Sequence, residues 1–138
     1  MYQSIRAAIK NVLDGITSIP EVHDTDMSSF AKYPAAVVVP SQNTADYSLT
    51  TAESNKEVYI FTIRLHYPFT EGQATADHAL DMAADSVITA FRNRNILGDA
   101  ADWVAPVPSI WGYQSRPDGQ MRIAEVTIRA TKYVENGS

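Results

Sequence analysis

A chain of 138 residues is long enough for one real hydrophobic core and not for two. With 45% hydrophobic and 20% charged residues it falls in the globular range, and with no cysteine it has no disulfide framework, thiolate metal site or cysteine nucleophile. A formal net charge of −5, with no Lys/Arg cluster to offset it, argues against a domain that grips nucleic acid by counterion release.

No apolar run approaches the roughly 18 residues that a membrane span requires. The opening residues MYQSIRAAIKNVL mix polar and apolar positions and do not read as a signal peptide. Instead Ile5, Ala8, Ile9, Val12 and Ile16 recur at steps of three and four, one stripe of an amphipathic helix over about residues 2–14. Gly15 stands where a left-handed cap would end it. ITSIPEVHD suits a short edge strand, because Pro20 cannot donate to a ladder. PAAVVVP, residues 34–40, reads as a buried strand with a proline at each end.

Residues 41–55, SQNTADYSLTTAESN, are polar, lack periodicity and contain no glycine. A loop of this length in a small domain is uncommon. It is either a mobile surface loop or an arm that settles on a neighbouring subunit, with Asp46, Tyr47, Leu49 and Glu53 as its candidate contacts. A strand, EVYIFTIRLHYPF over 57–69, follows. After the turn PFTEG, Ala76, Leu80, Ala83, Val87 and Phe91 form the stripe of a second helix over about 73–93, widened by Ala79, Ala84 and Ile88.

In SRPDGQ, Asp118-Gly119 is a two-residue hairpin signal. With that turn, Tyr113 faces Ala124, Trp111 faces Val126, Ser109 faces Ile128 and Val107 faces Ala130, which makes Trp111 and Tyr113 core residues. Trp103 receives no assignment from its surroundings. The order of elements predicts a single α+β domain, an antiparallel-rich sheet with two main helices packed on one face.

Residues with catalytic chemistry do not converge in the sequence. Asp77, Asp81 and Asp85 line the second helix at i, i+4, i+8 with His78 beside them, but a solvated helix face predicts the same line. The three histidines, His23, His66 and His78, fall on separate elements, and no metal-protease, phosphate-loop or nucleophile-elbow motif is present. No catalytic residue, metal or cofactor is expected.

What stands out is one strand face. Read with period two, EVYIFTIRLHYPF places Tyr59, Phe61, Ile63, Leu65 and Tyr67 on one side. The other side begins with Val58 and Ile60 and turns to Thr62, Arg64 and His66. The last strand has a similar side in Ile123, Glu125, Thr127, Arg129, Thr131 and Tyr133. If the strands are neighbours, Arg64 or Arg129 can pair with Glu125. This second face is either a solvated sheet surface or one that meets another copy of the chain or lines a shared channel, with Arg64, His66, Glu125, Thr127, Arg129 and Thr131 as its candidate residues. On the second view, Arg129→Glu sets two acids near each other and weakens assembly.

The series IRAAIKNVL, YPAAVVVP, a long polar loop, YIFTIRLHY, ALDMAADSVITAF, a strand ending WGY, a turn and MRIAEVTIRATKY resembles the tail terminator proteins of long-tailed bacteriophages, also called tail completion or tail-to-head joining proteins. The similarity is one of pattern and element order over nearly the whole chain. It implies a structural virion protein, not an enzyme, that assembles in the host cytoplasm as a homo-oligomeric, hexameric ring. Such a ring caps the tail tube, stops its polymerisation and docks to the head connector, with DNA as passing cargo. The alternatives are another phage neck or baseplate protein, or a small-molecule-binding or hydrolytic α+β domain.

Overall fold

The computed structural model describes residues 2–25, 29–45, 54–116 and 119–135. Two α-helices, α1 (Tyr2–Asp14) and α2 (Gln73–Phe91), accompany five strands, β1 (Glu21–His23), β2 (Ala35–Ala45), β3 (Ser54–Pro68), β4 (Trp103–Arg116) and β5 (Gly119–Glu135). The strands form one sheet in the order β1-β2-β3-β5-β4. β1 runs parallel to β2 and every other pairing is antiparallel. This is the expected α+β class.

Both helices lie on one side of the sheet. The core joins Ile5, Ile9 and Leu13 of α1 and Leu80, Ala83, Val87 and Phe91 of α2 to the inner faces of β2, β3, β5 and β4. The stripe expected of α2, Ala76, Leu80, Ala83, Val87 and Phe91, is the set that is buried. Its alanines leave room for close approach to the sheet, and Phe61 and Ile63 of β3 are fully buried in the core they share with it. In α1 the deepest stripe is Ile5, Ile9 and Leu13, while Ala8, Val12 and Ile16 pack at its margin. Gly15 does not take up a left-handed conformation. Turns from Gly15 N–H to the Val12 carbonyl and from Ile16 N–H to the Leu13 carbonyl close α1 instead.

The long loop expected over 41–55 is shorter than that. Residues 41–45 continue β2, and Ser54 and Asn55 open β3, so the two strands pair well past Pro40. A register shift between Pro40 and Gln42 lets the strand continue although Pro40 has no N–H to donate. Asp46, Tyr47, Leu49 and Glu53 lie outside the described residues.

The β4–β5 pairing corrects the expected register. Gly119 lies within β5, opposite Arg116, with φ +116°. Tyr113 faces Arg122 instead of Ala124, and Trp111 faces Ala124 instead of Val126, a displacement of two residues. Because strand side chains alternate with period two, this displacement preserves the face: Trp111 and Tyr113 remain on the helix side. They are not core residues, however. β4 is an edge strand, and Trp111 and Tyr113 are 37% and 48% exposed.

A second shift, between Pro108 and Trp111, places Ser109 and Ile110 against the single position of Glu125. An extra residue of this kind inverts the side-chain alternation along the bulged strand. Val107 therefore faces Thr127, not Ala130, and Trp103, Ala105 and Val107 align with Thr131, Arg129 and Thr127 on the side away from the helices.

Candidate functional site

The outer face of the sheet divides into three parts. At one end lies a small second core. Phe30 and Tyr33, from the segment between β1 and β2, pack on Ala35, Val37 and Val39. The Phe30 ring centroid is 4.9 Å from that of His66, and His66 is 0% exposed. The His66 Nδ1 lies 3.4 Å from the Ala35 carbonyl oxygen. His66 is therefore removed from the set of candidate contact residues, since its own chain covers it. Glu21 holds this covering segment in place. Its carboxylate accepts from the backbone N–H groups of Ala31 and Lys32 at 3.1 Å and pairs with His23 Nε2 at 2.9 Å. Burial pushes the Glu21 carboxyl up, but the hydrogen bonds from His23, Ala31 and Lys32 outweigh it and leave the group below its ordinary value.

The middle of the face is a cross-strand pair. Arg64 and Glu125 stand opposite each other on β3 and β5, with Arg64 Nε donating to Glu125 Oε2 at 2.9 Å. This is one of the two pairings expected. Arg129 does not share in it. It stands four positions along the same strand, about 13 Å away at roughly 3.3 Å per residue, opposite Ile60 and Ala105. An acid at 129 would not confront Glu125, so the expected reason for an Arg129→Glu defect fails. Thr62 is nearly buried between these strands, and Thr127 and Thr131 are half-buried.

In the third part, strand periodicity places Arg129, Thr131 and Tyr133 on this face, but the β4 contribution is invisible to it because the β4 bulge creates it. Trp103, Val107 and Tyr133 are all large, apolar and exposed there. Arg94, Trp103, Ala105, Arg129, Thr131 and Tyr133 line an open depression of about 310 Å³. Backbone bonds fix its walls: Val104 N–H donates to the Arg94 carbonyl at 3.0 Å, and Asp102 N–H to that of Thr131 at 2.9 Å. The Asp102 carboxylate accepts from Tyr133 N–H at 2.8 Å. Arg94 lies over the Trp103 ring, its Cζ 4.4 Å from the centroid. Among the described residues the lining carries no carboxylate and no histidine, and neither Arg94 nor Arg129 has a carboxylate partner. Pro106 and Pro108 were the available sequence signal, because prolines in a strand mark an edge or a bulge. Phe30 and Tyr33, two aromatics in a polar stretch, were the signal for the cover over His66.

On the helix side, Arg122 organises the edge. Its Nε donates to Asp77 Oδ1 at 2.8 Å and its Nη1 to the Gly112 carbonyl at 3.2 Å. Its Cζ lies 5.0 Å from the Trp111 centroid and 4.7 Å from that of Tyr113. Asp77 is thus engaged with the sheet, whereas Asp81, Asp85 and His78 are exposed on α2. Among the described residues no group of three or more histidine or acidic side chains is placed to hold a metal ion.

The architecture defines a class, a single-sheet α+β protomer with both helices on one face and a mixed opposite face, buried at the His66 end and exposed around Trp103, Val107 and Tyr133. No family model matches the chain, and no curated protein matches it.

Proposed function

We propose that this chain is a structural subunit of a homo-oligomeric, hexameric ring at the head-proximal end of a phage tail, where it ends tube polymerisation and joins tail to head. Its partners are copies of itself, the tail tube protein and a head connector or head-completion protein, with DNA as passing cargo. It assembles in the host cytoplasm and resides in the virion at the head–tail junction. The observation that carries this proposal is the outer sheet face: three large exposed side chains, Trp103, Val107 and Tyr133, continue from the Arg64–Glu125 pair across β5 to β4. A face of that composition is suited to burial against protein. The element order and the acidic balance, better suited to a conduit than to a DNA clamp, support the same conclusion.

Native mass spectrometry and electron microscopy with purified tail tubes test it. The expected result is a closed ring, free or on the tube end. A strict monomer at high concentration that also leaves tube ends bare overturns the proposal. Gene order separates a terminator from another neck or baseplate protein, since a terminator gene is expected just before the major tube gene.

A further inference from the structure

The outer-face depression and the exposed side of α2 differ in charge and share an apolar centre. In the depression, Trp103 (46% exposed) and Tyr133 (49%) are accompanied by Arg94 and Arg129, which have no carboxylate partner among the described residues. On α2, Met82 is the most exposed large hydrophobic residue among the described residues, at 54%. Asp85 lies one turn further along the helix and Asp81 immediately beside it, and both are exposed and without a basic partner among the described residues. One patch is an unbranched thioether flanked by carboxylates. The other is a pair of aromatic rings flanked by guanidiniums. Sulfur on an aromatic ring and carboxylate on guanidinium are both favourable pairings.

The two patches cannot meet within one molecule, because one lies on the helix layer and the other on the opposite face of the sheet. We infer that they meet between molecules: Met82, Asp81 and Asp85 of one copy seat in the Arg94, Trp103, Arg129 and Tyr133 depression of the next. A contact between two different patches is heterologous, the kind that propagates head to tail and closes into a ring when the rotation allows. This inference rests on the proposed ring function and supplies its contact. It also gives Arg129 a role that Glu125 does not explain.

A paired charge reversal tests it. One variant carries Arg94→Glu and Arg129→Glu; the other carries Asp81→Arg and Asp85→Arg. All four positions are exposed, and circular dichroism establishes that both variants remain folded. Sedimentation velocity on each variant alone is expected to show assembly weakened about tenfold or more, the scale of losing one close interfacial charge pair. Mixed in equal amounts, each reversed patch meets an opposite charge, and assembly is expected to return in alternating order. A wild-type ring with variants that assemble unimpaired, or with a mixture that stays dissociated, overturns this contact and leaves the ring proposal standing. A wild-type chain that is monomeric both in solution and at tube ends overturns both.

Discussion

Arg64 and Glu125 face each other across the centre of the sheet, Nε to Oε2 at 2.9 Å, with side chains only 27% and 22% exposed. The pair lies between the buried ring of His66 on one side and the exposed end of the outer face on the other. A double-mutant cycle with Arg64→Ala and Glu125→Ala should give a coupling energy of about 0.5–1 kcal/mol in thermal denaturation. A coupling indistinguishable from zero would mean that the two charges share a face without stabilising it.

Arg122 should matter more to stability. Its side chain is 14% exposed, and it ties α2, β5 and β4 together through Asp77 and the Gly112 carbonyl. Arg122→Ala is expected to cost about 2 kcal/mol in urea denaturation, the range for hydrogen bonds to charged groups. Arg122→Lys should recover less than half of that loss, since an ammonium can neither fork to two acceptors nor stack on Trp111 and Tyr113. Wild-type stability in the lysine variant would show that charge alone is sufficient.

The Glu21 carboxylate provides a pH-dependent test. Its carboxyl is held below the ordinary value of 4.5, so its ionised form is favoured in the folded chain. The resulting stability is fully present above the unfolded value and is lost as pH falls through the lowered folded one. Glu21→Gln should therefore be destabilised near neutral pH, with the difference from wild type shrinking once pH drops below about 4.5. A difference that stays constant from pH 7 to pH 3 would exclude the carboxylate as the anchor of the 29–34 segment.

Phe30 covers His66. Phe30→Ala should cost about 3 kcal/mol and open the His66 ring to diethyl pyrocarbonate, while Phe30→Leu should retain most of the stability. Peptide mapping of the modified histidines checks both. Protection of His66 that persists in a folded alanine variant would show that other groups are sufficient to cover it.

Much of the architecture followed from local pattern. The α2 stripe and the two-sided character of β3 and β5 were legible because helix and strand periods sort side chains by face whatever the chain does elsewhere. That Arg64 or Arg129 could meet Glu125 was also legible; which of them does so depends on register. The hairpin register was not legible. A two-residue displacement keeps every side chain on its face, so an alternation argument cannot detect it.

What the sequence determined by itself was which side chains share a face, since that depends on covalent geometry and period alone. Tertiary structure decided what each face touches. Trp111 and Tyr113 sit on the predicted side yet stay exposed, because β4 is an edge strand with no neighbour beyond it in the sheet. His66 shares its face with Arg64 and is nevertheless buried, because a segment more than thirty residues earlier folds over it. The bulge before Trp111 turned Trp103 and Val107 toward the outer face, which assembled the patch on which the proposed subunit contact rests. Burial and register are properties of distant segments meeting, and periodicity carries no information about those meetings.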